Sequence, residues 1–329
     1  MLVESIIKEI SEDVDDVLNT SFAYNSTAVV PNSHDTGLTF ERGTVKWGRE
    51  IDTCVLYVDI RNSVALTAKH QSITMGKIYT AFIKAVIKVG RYHGASTRNI
   101  IGDRVMLVFP SNGCFGHALD CAISINHIAS KVIAKKFPNV DFKCGIGIDY
   151  GTLKVIKVGI QRNGIEKSEN KGLVWTGNAA NLSSRLTDLA NKTIEHPYFK
   201  VKYKGHDFGL LAGLSGFPLG LQFRKERQFP SYNAFPDSRE MEIKMEEAEF
   251  AAALSMKTPG VLTFSKGDLI SFERVVEKRN YSPIVFTQRV MDGLIRDKSV
   301  RAQDDWKVQP GPIRDVNDKV YGGDYTWRI

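Results

Sequence analysis

Val55-Leu56-Tyr57-Val58-Asp59-Ile60-Arg61-Asn62-Ser63 reads as a buried strand, rich in β-branched and aromatic residues, that breaks at a carboxylate. An apolar strand gives no reason to bury an acid. Asp59 therefore either caps the helix that follows or begins a site. Working outward, residues 72–93 place Ile78, Phe82, Ala85, Val86 and Val89 on one helical face, and Gly94 stops the helix. A hairpin is predicted next, with strands at about 95–101 and 104–109 and a turn at Gly102-Asp103. A second helix, about 113–135, turns Ala118, Cys121, Ala122, Ile125, Ile128 and Ala129 inward and ends before Pro138. Strands at 141–150 and 152–158 are expected to turn at Tyr150-Gly151, and a short helix runs from Asn178 to Leu189. The order is βαββαβ with a further hairpin and helix. Two helices on one face of a mostly antiparallel sheet make an α+β, ferredoxin-like layer.

The flanks are less regular. Residues 2–19 set Leu2, Ile6, Ile7, Ile10, Val14, Val17 and Leu18 on one helical stripe, which packs either on its own domain or against a second copy. Residues 20–44 read as a loop rich in Ser, Asn, Thr and Gly. From 193 to 280 the chain changes character, with Gly205, Gly209, Gly213, Gly216, Pro218 and Gly220, then a charged helix near 238–254. Ser282–Thr287 and Gln288–Leu294 read as strand and helix, and Tyr325–Ile329 as a last strand. The expected organisation is a lead-in at 1–49, a core at 50–192, an insertion at 193–280, and a closing part of the same domain at 281–329.

Composition narrows the function. The 329 residues carry a net charge of +7, which suits phosphate handling but is too spread out to argue for nucleic-acid binding. Cys54, Cys114, Cys121 and Cys144 lack metal-ligand spacing and read as reduced core residues of a cytoplasmic protein. The acidic, amphipathic N-terminus is no signal peptide, and no apolar run is long enough to span a membrane.

Two constellations carry chemistry. In a βαββ unit the first strand and the hairpin can be sheet neighbours, so Asp59 and Asp103 can converge on one edge. Gly-Asp is also an ordinary hairpin turn, which alone would explain Asp103. Paired carboxylates repel unless one is protonated or a cation lies between them, and oxygen ligands of this kind suit Mg²⁺ or Mn²⁺. Farther on, Thr176-Gly177-Asn178-Ala179-Ala180-Asn181-Leu182-Ser183-Ser184-Arg185-Leu186 sets Asn181 and Arg185 four apart on one helical face. An amide beside a guanidinium can hold a sugar oxygen and a phosphoryl oxygen, or can simply be a solvated polar face.

These stretches resemble the class III nucleotidyl cyclases. The first-strand motif is similar to Tyr57-Val58-Asp59-Ile60 and the second metal motif to Ile101-Gly102-Asp103. The family's Gly-Ile hairpin is similar to Cys144–Gly151, and the Gly-Asn-x-x-Asn-x-x-x-Arg signature matches Gly177-Asn178 through Asn181 and Arg185. The likeness covers about 50–192 and, more weakly, 282–329, interrupted by the insertion before the last strands. It implies that Asp59, Asp103 and the Ile60 carbonyl hold two divalent cations, Mn²⁺ or Mg²⁺. It implies that Asn181 orients the ribose and Arg185 stabilises the transferring α-phosphoryl group. Backbone N–H groups at 60–64, spanning Arg61, Asn62 and Ser63, would cradle the triphosphate, and Lys319 is the candidate for the family's triphosphate lysine. Asn181 and Arg185 would come from the partner subunit, so a homodimer with composite sites is implied.

The sequence departs from purine cyclases where they read the base. Asn99 stands where adenylate cyclases place Lys and guanylate cyclases Glu, and Val174 stands where a polar residue is expected, with Trp175 beside it. Tyr57, two residues before Asp59, would shrink the base pocket or simply pack in the core. The chain also resembles the Pycsar pyrimidine cyclases of bacterial antiphage defence, in its N-terminal helix, its Lys46-Trp47-Gly48-Arg49 lead-in and its long insertion. That resemblance implies conversion of the nucleoside triphosphate UTP, or CTP, to a cyclic monophosphate read by a separate effector. An adenylate or guanylate cyclase with an unusual base pocket, or a silent nucleotide-binding domain, is the alternative.

Overall fold

The computed structural model describes residues 2–162, 165–205, 240–258, 261–313 and 316–329. It divides into two compact units, 1–193 with 280–329, and 194–279. In the first, α1 (Leu2–Asn19) and β1 (Phe22–Ser26) precede β2 (Lys46–Ile60), α2 (Ser63–Lys69) and α3 (Ser72–Tyr92). The hairpin β3 (Ser96–Ile101) and β4 (Arg104–Val108) leads to α4 (Cys114–His127), which continues through a π-helical turn, Ile128–Ile133, into α5 (Ala134–Lys136). Then come β5 (Cys144–Arg162), β6 (Ile165–Thr176) and α6 (Asn178–Leu189).

The four strands of the βαββαβ path lie in the order β5-β2-β4-β3, and every neighbouring pair is antiparallel. That is the ferredoxin-like arrangement. Strand alternation sorts its side chains into two layers. Leu56, Val58, Val105 and Leu107 face α3 and α4 and share a core with Ile78, Phe82, Leu119 and Ala122. Val55 and Met106 face the other way, against Ala179 and Ala180 of α6, with Tyr57 packed beside them. Two glycines let α6 come this close. A Cβ at Gly147 would overlap the Ser183 carbonyl and the Thr187 amide; one at Gly145 would meet the Ala190 carbonyl and the Arg61 guanidinium.

The second unit has a sheet ordered β8-β7-β11-β10-β9, from β7 (Thr193–Gly205), β8 (Glu240–Glu246), β9 (Leu254–Thr258), β10 (Val261–Phe264) and β11 (Gly267–Asn280). Helix α7 (Glu247–Ala253) brings Phe250 onto Val201, Tyr203, Met245 and Phe264. The first unit is completed by β12 (Ile284–Thr287), α8 (Gln288–Arg296), β13 (Lys307–Val308) and β14 (Val320–Gly323).

Four sequence expectations change. The turn at Tyr150-Gly151 does not form: β5 runs straight through it, paired with β2 from Ile60↔Cys144 to Arg49↔Val155. A Tyr-Gly pair is a local turn signal, and a continuous ladder on a 15-residue neighbour overrides it. The strand that returns is β6. Within the expected loop 20–44, β1 forms by parallel pairing with the start of β2, Phe22↔Lys46 to Ser26↔Glu50. The charged helix near 238–254 is a strand, β8, followed by the short α7, because β8 finds a partner in β7 across Tyr198↔Glu246 to Lys204↔Glu240. The last strand is β14 rather than Tyr325–Ile329, whose aromatics pack instead: Tyr325 lies 4.5 Å from Trp306 between ring centroids, and the Trp327 indole donates to Ser124 Oγ at 2.8 Å. Gly209, Gly213, Gly216, Pro218 and Gly220 lie outside the described residues. Among the described residues no helix is long and apolar enough to cross a membrane.

Candidate active site

β2 delivers Asp59 to the face that carries Val55 and Tyr57, at the end of the sheet. β4 runs antiparallel beside it, so the β3–β4 turn returns to the same edge. Gly102 closes that turn at φ +61°, a conformation glycine adopts freely, and presents Asp103. The carboxyl groups meet there. Burial pushes the Asp103 carboxyl above its ordinary range, and the Asp59 charge and a hydrogen bond shared with Asp59 push it the same way. The Ser63 hydroxyl, at the start of α2, pulls the other way. Asp103 Oδ2 is buried without a hydrogen-bond partner. An orphaned carboxylate oxygen beside a second carboxylate is a donor set that fits a divalent cation.

Two guanidinium groups answer Asp59. Arg104 Nη2 donates to Asp59 Oδ2 at 2.8 Å, and Arg61 Nη2 lies 3.6 Å from the same oxygen. Arg104 also reaches α6, donating from Nη1 to Ser184 Oγ at 2.9 Å and from Nη2 to Asp188. Arg61 is turned under α6, where it donates to the Asp188 carbonyl at 3.3 Å; burial lowers its guanidinium pKa. One member of the expected phosphate cradle at 60–64 is already engaged. The Arg61 N–H already donates to the Lys143 carbonyl at 2.8 Å, and Asn62 takes φ +55° to open α2. The Ile60 side chain is in the core, so its carbonyl is all it offers this edge.

Asn181 and Arg185 ride on the exposed face of α6, because Ala179, Ala180, Ser183, Leu186 and Thr187 take the buried one. Thr187 Oγ1 fixes the helix by donating to the Tyr57 carbonyl at 3.1 Å. The exposed face lines a cleft of about 520 Å³ with Asn178, Arg289, Asn317 and Asp318. Neither Asp59 nor Asp103 lines it. Within one chain the two constellations are therefore on separate surfaces. Arg289 and its support were not legible in the sequence. Its Nη2 lies 3.6 Å from Asp149 Oδ2, and its Nη1 donates to the Tyr150 carbonyl at 3.4 Å. Asp149 is fully buried and accepts from Thr287 Oγ1 at 2.6 Å; burial pushes its carboxyl up to about 6, against the pull of Thr287 and Arg289. Lys319 is exposed, does not line the cleft, and takes part through its carbonyl, which accepts from the Gln288 N–H at 2.8 Å.

At the expected base pocket, Tyr57 and Trp175 pack on one apolar cluster, and Asn99 pairs with Met106 on the same face. Val174 pairs with Ile156, one residue out of phase with Trp175, so its side chain points to the other face. A residue the sequence did not flag joins them. Arg98 is the extra residue of a bulge in β3, its guanidinium carbon is 5.7 Å from the Trp175 ring centroid, and its buried Nε lacks a partner.

Known proteins carry the same core. The chain is 34% identical over 144 residues to a uridylate cyclase of Burkholderia cepacia, and 28% identical over 191 residues to a uridylate cyclase of Gulbenkiania mobilis. The chain is thus similar, over part of its length, to two uridylate cyclases. The matches cover 42% and 54% of this chain; it spans 59% of the length of the first of these cyclases and 69% of the second. No protein-family model matches the chain. Among solved structures, a class III adenylyl cyclase-like ATP-binding protein from Pseudomonas aeruginosa superposes with a TM-score of 0.44 at 14% identity, over 58% of this chain and 41% of its own. An adenylyl cyclase of the same organism gives 0.37 at 18% identity, over 43% and 73%.

Proposed function

We propose that the chain is a pyrimidine nucleotide cyclase that converts UTP, with CTP second, to the 3′,5′-cyclic monophosphate and pyrophosphate. The observation that carries this reading is a site divided over two surfaces of one chain. A carboxylate pair with an orphaned buried oxygen sits on one, and an asparagine and an arginine line a polar cleft on the other. Two copies in a head-to-tail dimer would bring one surface of each chain onto a single nucleotide.

In that dimer Asp59, Asp103 and the Ile60 carbonyl would hold two divalent cations, Mn²⁺ or Mg²⁺. Bound there, such cations neutralise the triphosphate and lower the pKa of the ribose 3′-hydroxyl. The other residues bind and orient. Asn181 of the second copy holds the ribose, and Arg185 stands where charge develops on the α-phosphoryl group as the 3′-oxygen attacks and pyrophosphate leaves. Arg289, braced from behind by buried Asp149, holds the outer phosphates, with Lys319 beside the cleft contributing charge and Ser63 orienting Asp103. Tyr57, Trp175 and Arg98 close the base pocket, and the absence of Lys or Glu at Asn99 leaves a purine without its partners. The names of the relatives favour uracil over cytosine. Four free, buried cysteines suit work in the reducing cytoplasm. The product would serve antiphage defence through a separate effector.

Mass spectrometry of the products formed from all four nucleoside triphosphates with Mn²⁺ tests the reading. Cyclic UMP from UTP is expected. A preference for ATP or GTP would overturn the pyrimidine assignment, and nucleotide binding without any cyclic product would overturn the activity.

A further inference from the structure

Among the described residues, helix α1 carries an apolar stripe that no other segment covers. Val3, Ile7, Ile10, Val14 and Val17 recur at spacings of 4, 3, 4 and 3, and each is between 50% and 68% exposed. Ile6 and Leu18 widen the stripe. The helix is nevertheless held in place, by its opposite side. Asp16 receives Lys46 Nζ at 3.0 Å and the Gly43 N–H at 2.6 Å, and Arg42 reaches Glu12 at 3.1 Å and Asp13 at 3.9 Å. A helix anchored through its acids and displaying its apolar side is a presented surface.

We infer that this surface is a dimer seam whose occupant is α1 of a second copy of this chain. Three observations choose that occupant. A 3.5-residue apolar repeat packs knobs into holes against another helix with the same repeat, and this chain supplies one. Burying the stripe on both copies removes on the order of 1,000 Å² from water, the scale a specific interface needs. The flanks oppose no like charges in an antiparallel pair: Glu4 meets Leu18, Ser11 meets Ser11, and Asp13 meets Ile6. A bilayer is the poorer fit, because six acids against one lysine on the helix would be repelled by anionic lipid. A parallel pair would set the acid-rich ends of the two helices, Glu12, Asp13, Asp15 and Asp16 of each copy, side by side, so the pair runs antiparallel. Ile10 then faces its own copy, Ile7 faces Val14, and Val3 faces Val17. The inference concerns assembly and stands apart from the chemistry proposed above.

Analytical ultracentrifugation of the full chain is the test. The double variant Ile7→Asp, Val14→Asp changes exposed residues only, so its far-UV circular dichroism should match wild type. Its dimer dissociation constant should rise by about a hundredfold or more. Independently, Ile10→Cys should oxidise to a covalent dimer, since the four native cysteines are buried, while Val3→Cys should not. A monomeric wild type, a double variant that dimerises undiminished, equal cross-linking at both positions, or vesicle binding lost in the double variant would each overturn the inference. A chain that dimerises through this seam but makes no cyclic nucleotide removes the proposed function alone. An active chain whose dimer ignores the seam removes this inference alone.

Discussion

The edge that holds Asp59 and Asp103 and the cleft that holds Asn181 and Arg185 belong to one chain but are built in contrasting ways. At the edge, acid and base are crowded: two carboxyl groups share a hydrogen bond, and Arg104 and Arg61 crowd the Asp59 oxygens. In the cleft, Asn181 and Arg185 stand on the outer face of α6, and Arg289 beside them is braced by a buried acid. Crowded charge is what a bound cation would relieve; a polar face turned outward is what a partner would cover. In the proposed function each is half of a site, and within one chain Arg104 links the Asp59 edge to α6 through Ser184 and Asp188.

The sharpest way to break this contrast is to delete the crowded acids. Asp59→Ala or Asp103→Ala should lower cyclase turnover about 10³-fold or more while sedimentation still reports a dimer. Full activity in either variant ends the assignment of that edge. Arg185→Ala should cost about 10²- to 10³-fold in kcat. Mixed with Asp103→Ala, it should recover about a quarter of wild-type activity, because half of random dimers then contain one intact composite site. No recovery would place both halves in the same chain.

A smaller effect is expected at the tie between the halves. Arg104→Gln removes a cation from Asp59 and an anchor from α6. Mn²⁺ should bind several-fold tighter by electron paramagnetic resonance titration, while kcat falls about tenfold. Weaker Mn²⁺ binding would show that Arg104 supports the carboxylates rather than competing for them.

The smallest effect lies in pH. The folded Asp149 carboxyl sits at about 6 against an ordinary 3.8. The folded state thus keeps a proton that the unfolded state has lost, and stability that is full below 3.8 drains away as pH rises through 6. The linked loss is on the order of 2 to 3 kcal/mol. Wild type should lose several degrees of Tm relative to Asp149→Asn between pH 4.5 and 7.5. A constant gap would mean that Arg289 keeps Asp149 ionised throughout.

Much of this was legible before folding. The break of an apolar strand at Asp59, the Gly-Asp turn, and the Asn181/Arg185 spacing are local patterns, and local periodicity survives intact in one dimension. What failed was also local in origin. Tyr150-Gly151 has turn chemistry, but the ladder to β2 is set by residues a hundred positions away. Arg98 and Arg289 lie in no motif, and Asp149 stood in the Cys144–Gly151 stretch with no role attached; they matter because a bulge, a cleft and a buried threonine surround them.

The sequence by itself determined the order of elements in the core and the ferredoxin-like layer, and it singled out the four residues on which the chemistry is proposed to rest, because spacing alone puts side chains on one face or at one turn. Only the tertiary structure decided which carboxyl groups meet, which arginines answer them, and which side of α1 faces water. Those outcomes depend on burial and on distances between residues far apart in the chain, and neither quantity exists until the sheet has closed.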